Sequence, residues 1–252
     1  MKLLTLARDL RRRKARERQQ LFAAEGVRAV EELLRSPLNI RGALTAPQLL
    51  DAPRGAALLT ALRERGVDVA EVTPHEFSSA AETESPQGVL AVAEIPERRL
   101  ELLHLPAVAR LVVLDAVQDP GNVGTILRTA AALGAAAVVA LPGTVDLWNA
   151  KVVRSAMGAA FHLPSFSSTW PELEQFRRRE AMGLWGADAG GTPVGRLSPP
   201  ARLALVVGNE GAGLSDEARR YADAVASLPI DAAVESLNVA VATGILLYQL
   251  RS

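Results

Sequence analysis

Apolar runs alternate with helix-spaced apolar positions through the second half of the chain, and this pattern predicts layered strands and helices. Leu111, Val112, Val113 and Leu114 read as a buried strand, which Asp119, Pro120, Gly121 and Asn122 terminate. Val123, Ile126, Leu127 and Ala130 then mark the core face of a helix that Gly134 stops. A second apolar strand, Leu203 to Val207, runs into the turn Gly208 to Gly213, and Ser215 is placed to cap the helix beyond it. From Leu237 to Leu250 only Asn238, Thr243, Gly244 and Gln249 interrupt the apolar character, which predicts a buried or interface helix. Ser236 would be its N-cap, with Asn238 inside the first turn.

The same reading divides the chain. Val89 to Ala93 form an apolar strand, followed by a charged stretch bracketed by Pro96 and Pro106. We therefore draw a first domain over residues 1–94, a linker over 95–109 and a second domain over 110–252. Alternating strands and helices in both halves imply an α/β fold, with a mainly parallel sheet in the second. No apolar run reaches the roughly 18–20 residues of a membrane span and no signal peptide opens the chain, so a cytoplasmic protein is expected.

Composition narrows the chemistry. The 252 residues include no cysteine, which excludes disulfides, thiolate metal sites and a cysteine nucleophile. The three histidines, His75, His104 and His162, are too scattered to suggest a metal cluster, and no metal is expected. Net charge is zero, but the first twenty residues hold eight cations against two carboxylates. Arg11, Arg12, Arg13, Lys14 and Arg18 form the heart of this basic arm, which as a helical segment could neutralise RNA phosphates. The alternative is a solvated helix face. Aromatic residues make up only 4% of the chain, so recognition of RNA would rest on shape and phosphates rather than on stacking.

Strand, glycine turn and helix together offer free backbone N–H groups to a ligand, and this geometry is expected twice, after Leu114 and after Val207. Arg128 follows Gly124 by four residues and Gly121 by seven, so its side chain would lean back over a surface stripped of side chains. Glu210 adds a carboxylate to the second turn. Each feature alone has a plain structural reading: a solvated arginine, a turn-capping glutamate, a Ser236 and an Asn238 that only satisfy backbone. There is no Gly-x-Gly-x-x-Gly and no P-loop lysine, which argues against an unrelated nucleotide-binding enzyme.

In this order, Asn122 to Arg128, Gly208 to Gly213 and Leu228 to Ala242 closely resemble the three motifs of the SpoU family of RNA ribose 2'-O-methyltransferases, within the SPOUT superfamily. Lys151 to Pro164 matches a further stretch of that family, and the resemblance runs from about Arg110 to Ser252. Leu228, Pro229 and Ile230 vary mildly on a usual Ile-Pro-Met. The stretches Ala15 to Val30 and Ala81 to Val92 resemble the family's N-terminal substrate-binding domain, a small α/β unit like those of RNA-binding ribosomal proteins.

The resemblance implies a deep trefoil knot in the second domain and S-adenosylmethionine bent in a cleft, with Leu141, Gly208, Leu228, Ile230 and Leu237 as its contacts. It implies catalytic roles for Asn122, Arg128, Glu210, Ser236 and Asn238, with Arg128 also touching RNA. It further implies a homodimer through the C-terminal domain. Ribosomal RNA, specifically 23S, is the favoured substrate, with transfer RNA second. A catalytically inactive RNA-binding protein of the same fold is the remaining alternative.

Overall fold

A computed structural model describes residues 2–231 and 233–251. In chain order it contains α1 (Leu3–Asp9), α2 (Arg13–Gln19), β1 (Leu21–Glu25), α3 (Val27–Arg35), β2 (Ile40–Thr45), α4 (Pro53–Glu64), β3 (Val69–Glu71), α5 (Pro74–Ala80) and β4 (Val89–Glu94). There follow β5 (Ala109–Leu114), α6 (Pro120–Ala132), β6 (Ala137–Ala140), α7 (Ala150–Ser155), α8 (Ala159–His162), β7 (Ser165–Ser167) and α9 (Trp170–Arg179). The chain closes with β8 (Gly183–Pro193), β9 (Arg202–Val207), α10 (Asp216–Tyr221), β10 (Ala224–Ser227) and α11 (Val239–Leu250). These elements fall into two compact units: one runs up to Glu97 and includes Trp148–His162, and the other comprises Arg98–Leu147 and the chain from Leu163 onward.

The first unit is built on a four-stranded mixed sheet in the order β1-β4-β2-β3, with only the β2/β3 pair parallel. Its basic N-terminus is not a free helical arm. It forms two short helices, and Ala7 and Leu10 are buried in a core cluster with Leu44, Phe77, Leu90 and Val92. Arg16 is only 3% exposed and donates to the carbonyls of Leu10 (2.7 Å) and Arg11 (3.0 Å), so this cation secures the turn between the helices. Reading the basic run as a single arm, whether for RNA phosphates or as a solvated face, did not separate Arg16 from its exposed neighbours. The segment Trp148–His162, assigned by sequence to the second domain, also belongs to this unit: Trp148 and Phe161 lie 4.5 and 5.8 Å from the Phe22 ring, centroid to centroid. Large aromatic faces and burial, which motif order does not encode, decide that placement.

The second unit carries a six-stranded sheet in the order β10-β8-β9-β5-β6-β7, parallel throughout. Its central strands are near-continuous apolar runs because both faces are covered. Val123, Ile126, Leu127 and Ala130 of α6 are all fully buried, as their spacing predicts, and Gly134 follows the helix end with φ +75°. From Arg98 onward the predicted linker is part of this unit. Leu100 and Leu105 are 5% and 8% exposed within its core cluster, so apolar burial overrides the charged, proline-bracketed look of 98–109.

Helix α11 begins two residues later than the sequence suggests. Asn238, not Ser236, is the N-cap: its Oδ1 accepts from the backbone N–H groups of Ala240 (2.9 Å) and Val241 (3.3 Å). Both side chains can cap, and only Asn238 has a second partner that fixes it there. At the other end Arg110 Nε donates to the Leu250 carbonyl at 2.7 Å, while its Nη1 serves the carbonyls of Ala109, Pro200 and Ala201. Among the described residues no helix is long and apolar enough to cross a membrane, and no group of three His, Cys, Asp or Glu could hold a metal ion.

Candidate functional site

The start of α6 is set by Asp119, whose side chain accepts from the Asn122 N–H at 2.8 Å, with Pro120 in the first turn where its missing N–H costs nothing. Glu210 reaches this turn from the loop after β9. Its Oε1 accepts from the Asp119 N–H (3.0 Å) and from Asn122 Nδ2 (3.0 Å), and its Oε2 from the Gln118 N–H (3.2 Å). Burial alone would raise the pKa of this carboxyl, but the donors outweigh it and hold the group below the ordinary carboxylate value. Asn122 Oδ1 in turn accepts from Asn238 Nδ2 at 2.9 Å.

An ionised carboxylate only accepts, so it dictates which end of the Asn122 amide faces it, and that amide dictates the orientation of Asn238. The result is a directional chain from the α11 N-terminus through Asn238 and Asn122 to Glu210. Three segments far apart in sequence are thereby joined by three side chains.

The loop 208–213 is closed by paired backbone bonds between Asn209 and Gly213, each 2.9 Å. A Cβ at Gly208 would lie 2.2 Å from the Gly213 carbonyl oxygen, and Gly213 has φ +71°, so both positions require glycine. Two residues that the sequence reading passed over build this loop. Asn209 Oδ1 accepts from the N–H groups of Gly211 (3.0 Å) and Ala212 (2.9 Å), while its Nδ2 donates to the Ala116 carbonyl at 2.9 Å. Asp115, 3% exposed, accepts from the Ser215 N–H at 2.7 Å, and Ser215 caps α10. Their signals were present: an asparagine two residues before a glycine, and a carboxylate closing an apolar strand.

Beside the middle of β8 and the carboxyl ends of β9 and β10 lies a cleft of about 440 Å³, in the range that accepts a small molecule. Gly208, Leu228, Ile230 and Leu237 line it, as do Glu210, Ser236 and Asn238. Leu141 does not. It is a buried core residue whose N–H bonds to the Leu114 carbonyl at 2.9 Å. Ser236 is exposed on the rim segment before α11. Arg128 is exposed on α6, outside the cleft lining, with no hydrogen bond or ion pair among the described residues. In the first unit Arg11, Arg12, Arg13, Lys14 and Arg18 are all exposed; Arg12 and Arg13 face Asp9 and Glu17 at 3.6 and 2.7 Å. Apolar walls, a glycine loop and a few polar groups suit an adenosine-sized ligand with a polar tail.

Residues 109–248 match the model of the SpoU rRNA methylase family, and residues 5–91 match that of the MRM3-like substrate binding domain. The chain belongs to the SpoU family. Over 246 residues it is 39% identical to the 23S rRNA (guanosine(2553)-2'-O)-methyltransferase RlmP of Bacillus subtilis, covering 97% of this chain and 94% of that one. It is 35% identical to the 23S rRNA (guanosine-2'-O-)-methyltransferase RlmB of Haemophilus influenzae, covering 77% and 82%. Its structure is similar to that of the SpoU methyltransferase AviRb from Streptomyces viridochromogenes in complex with AdoMet, with a TM-score of 0.89, 29% identity and coverage of 99% and 96%. The SpoU match spans β5 to α11 and contains every residue of the hydrogen-bonded chain described above.

Proposed function

We propose that this protein transfers the methyl group of S-adenosylmethionine to a ribose 2'-hydroxyl of 23S ribosomal RNA, in the cytoplasm and as a homodimer. The observation that carries this reading is the directional chain Asn238–Asn122–Glu210, which draws the three SpoU motifs to the edge of one cleft. The 23S substrate is supported by the names of the relatives and by the matching substrate-binding domain.

When bound, the cofactor supplies a methyl carbon on a sulfonium, already a good leaving group. The protein then has to align the ribose oxygen and ease the loss of its proton. Gly208, Leu228, Ile230 and Leu237 would hold the cofactor, while Leu141 belongs to the buried core. Glu210 holds Asn122, Asn122 holds Asn238, and Ser236 on the rim meets the ribose. Arg128 offers a planar fork of N–H donors that matches a phosphate in two places. It clamps the RNA phosphate and stabilises the developing alkoxide.

Calorimetry with S-adenosylmethionine should give one saturable site per chain without divalent metal. Mapping of 2'-O-methyl nucleotides in a strain lacking the protein should reveal one missing mark in 23S RNA. A mark missing from transfer RNA instead would reassign the substrate, and failure of the folded protein to bind the cofactor would leave an inactive RNA-binding protein.

The basic N-terminus gives a separable prediction. Neutralising Arg11, Arg12, Arg13 and Lys14 together should weaken RNA binding and flatten its salt dependence by about 0.7–0.9 in slope per lost phosphate contact. Stability should change little, since exposed ion pairs contribute less than about 1 kcal/mol each. Arg16 must be left intact, because it bonds the turn between α1 and α2. An unchanged slope in binding titrations would return these residues to the role of a solvated face.

A further inference from the structure

The ionisable side chains lining the cleft are Asp188 and Glu210, both acidic, with no cation among the lining residues. Such a wall favours a ligand that presents a positive group. Glu210 is already occupied: both of its oxygens accept from the β5–α6 turn. Asp188, near the middle of β8, is differently placed. Its Oδ1 accepts from the Gly190 N–H at 2.9 Å and its Oδ2 pairs with Arg219 Nη2 at 2.7 Å. Those two bonds use about half of the four or so acceptor sites of a carboxylate. They orient the group without exhausting it. The same contacts, led by the Gly190 N–H, hold its pKa below the ordinary value despite partial burial, so it is ionised at neutral pH.

Asp188 lines the cleft, and its side chain is 24% exposed. A Cβ built at Gly213 would sit 3.8 Å from Asp188 Oδ2 and 3.9 Å from Arg219 Nη2, so the pair stands above a bare glycine of the loop that forms the cleft. A side chain at that position would stand between the loop backbone and the carboxylate. Glycine leaves that space to a ligand.

We propose that Asp188 is the anchor for the α-ammonium group of the cofactor's amino-acid end, with Arg219 and the Gly190 N–H as its supports. This inference rests on the reading of the cleft as the S-adenosylmethionine site. It assigns the methionine tail to the Asp188 side of the cleft and leaves the Leu228–Ile230 side to adenine.

The test is calorimetry on the native protein and on Asp188→Asn, which keeps the shape and removes the charge. The ligands are S-adenosylmethionine, S-adenosylhomocysteine and 5'-methylthioadenosine, the last of which lacks the amino acid. Loss of one charge-assisted bond should weaken the first two by about tenfold and leave methylthioadenosine within about twofold. Asp188→Glu, which keeps the charge, should preserve most of the discrimination, and it carries the test if the asparagine variant folds poorly. Equal losses for all three ligands would mean that Asp188 acts on the ribose or on the shape of the cleft, and would overturn the inference. No loss for any ligand would overturn it too. If native protein binds none of them, the cofactor reading itself fails, an outcome distinct from either of these.

Discussion

Arg128→Ala should abolish methyl transfer, lowering it by about 10²–10³-fold or more, as removal of a single transition-state donor does elsewhere. The structure makes this a clean experiment. Arg128 is exposed on α6 and bonds to nothing among the described residues, so its loss should shift stability by less than about 0.5 kcal/mol. It lies outside the cleft lining, so calorimetric affinity for S-adenosylmethionine should also hold. An exposed guanidinium on a helix that buries its opposite face has no structural task among the described residues to explain it. Arg128→Lys should recover less than a tenth of the lost rate, since an ammonium lacks the planar fork that grips a phosphate in two places. Transfer of labelled methyl to RNA measures both variants. Near-normal turnover in the lysine variant would show that charge alone suffices, and in the alanine variant that Arg128 is not used at all.

What could be read from the sequence depended on how local the cause was. The α6 segment was legible throughout: its apolar spacing marks the buried face, Gly134 its end, and the break at Asp119–Asn122 its start. The second glycine turn was legible as a turn, because Gly208 and Gly213 meet steric demands that only glycine satisfies. The start of α11 was not. Ser236 and Asn238 are both good caps at neighbouring positions, and the choice is made by Asn122, 116 residues earlier in the chain, whose Oδ1 accepts from Asn238. Trp148–His162 was placed by its motif neighbours, whereas the Phe22 ring decides where it packs. Arg16 reads as one more charge in a basic run until its two backbone carbonyl partners are seen. The knot of the SPOUT superfamily has no trace in periodicity at all, since threading is a property of the path and not of any window of residues.

Helix α11 yields the second large effect. Its residues serve three directions: Ala240, Thr243, Leu247 and Leu250 are buried in their own unit, Val239, Ala242 and Leu246 line the cleft, and Val241, Ile245 and Tyr248 point outward. The outward three are 51%, 39% and 55% exposed and recur at helical spacing, so they form one apolar stripe. A second copy of the same stripe, related by a two-fold axis, is the partner that a homodimer would supply. A charge at Leu247 or Leu250 would not test the interface, because these are 3% and 2% exposed in the single chain and a charge there would disrupt the fold first. The informative variant is Val241→Lys with Ile245→Glu. In the monomer these changes face water and should cost less than about 0.5 kcal/mol each. In a dimer they would bury charge against apolar surface, and each 1.4 kcal/mol of that penalty weakens association about tenfold. Light scattering should therefore report a dimer for the native protein at micromolar concentration and a folded monomer for the variant. Because Val241 is the immediate neighbour of the cleft residue Ala242, the monomer should also lose at least about tenfold in methyl transfer. A native protein that scatters as a fully active monomer would remove the dimer from the proposed function, and a variant that stays dimeric would move the interface off this stripe.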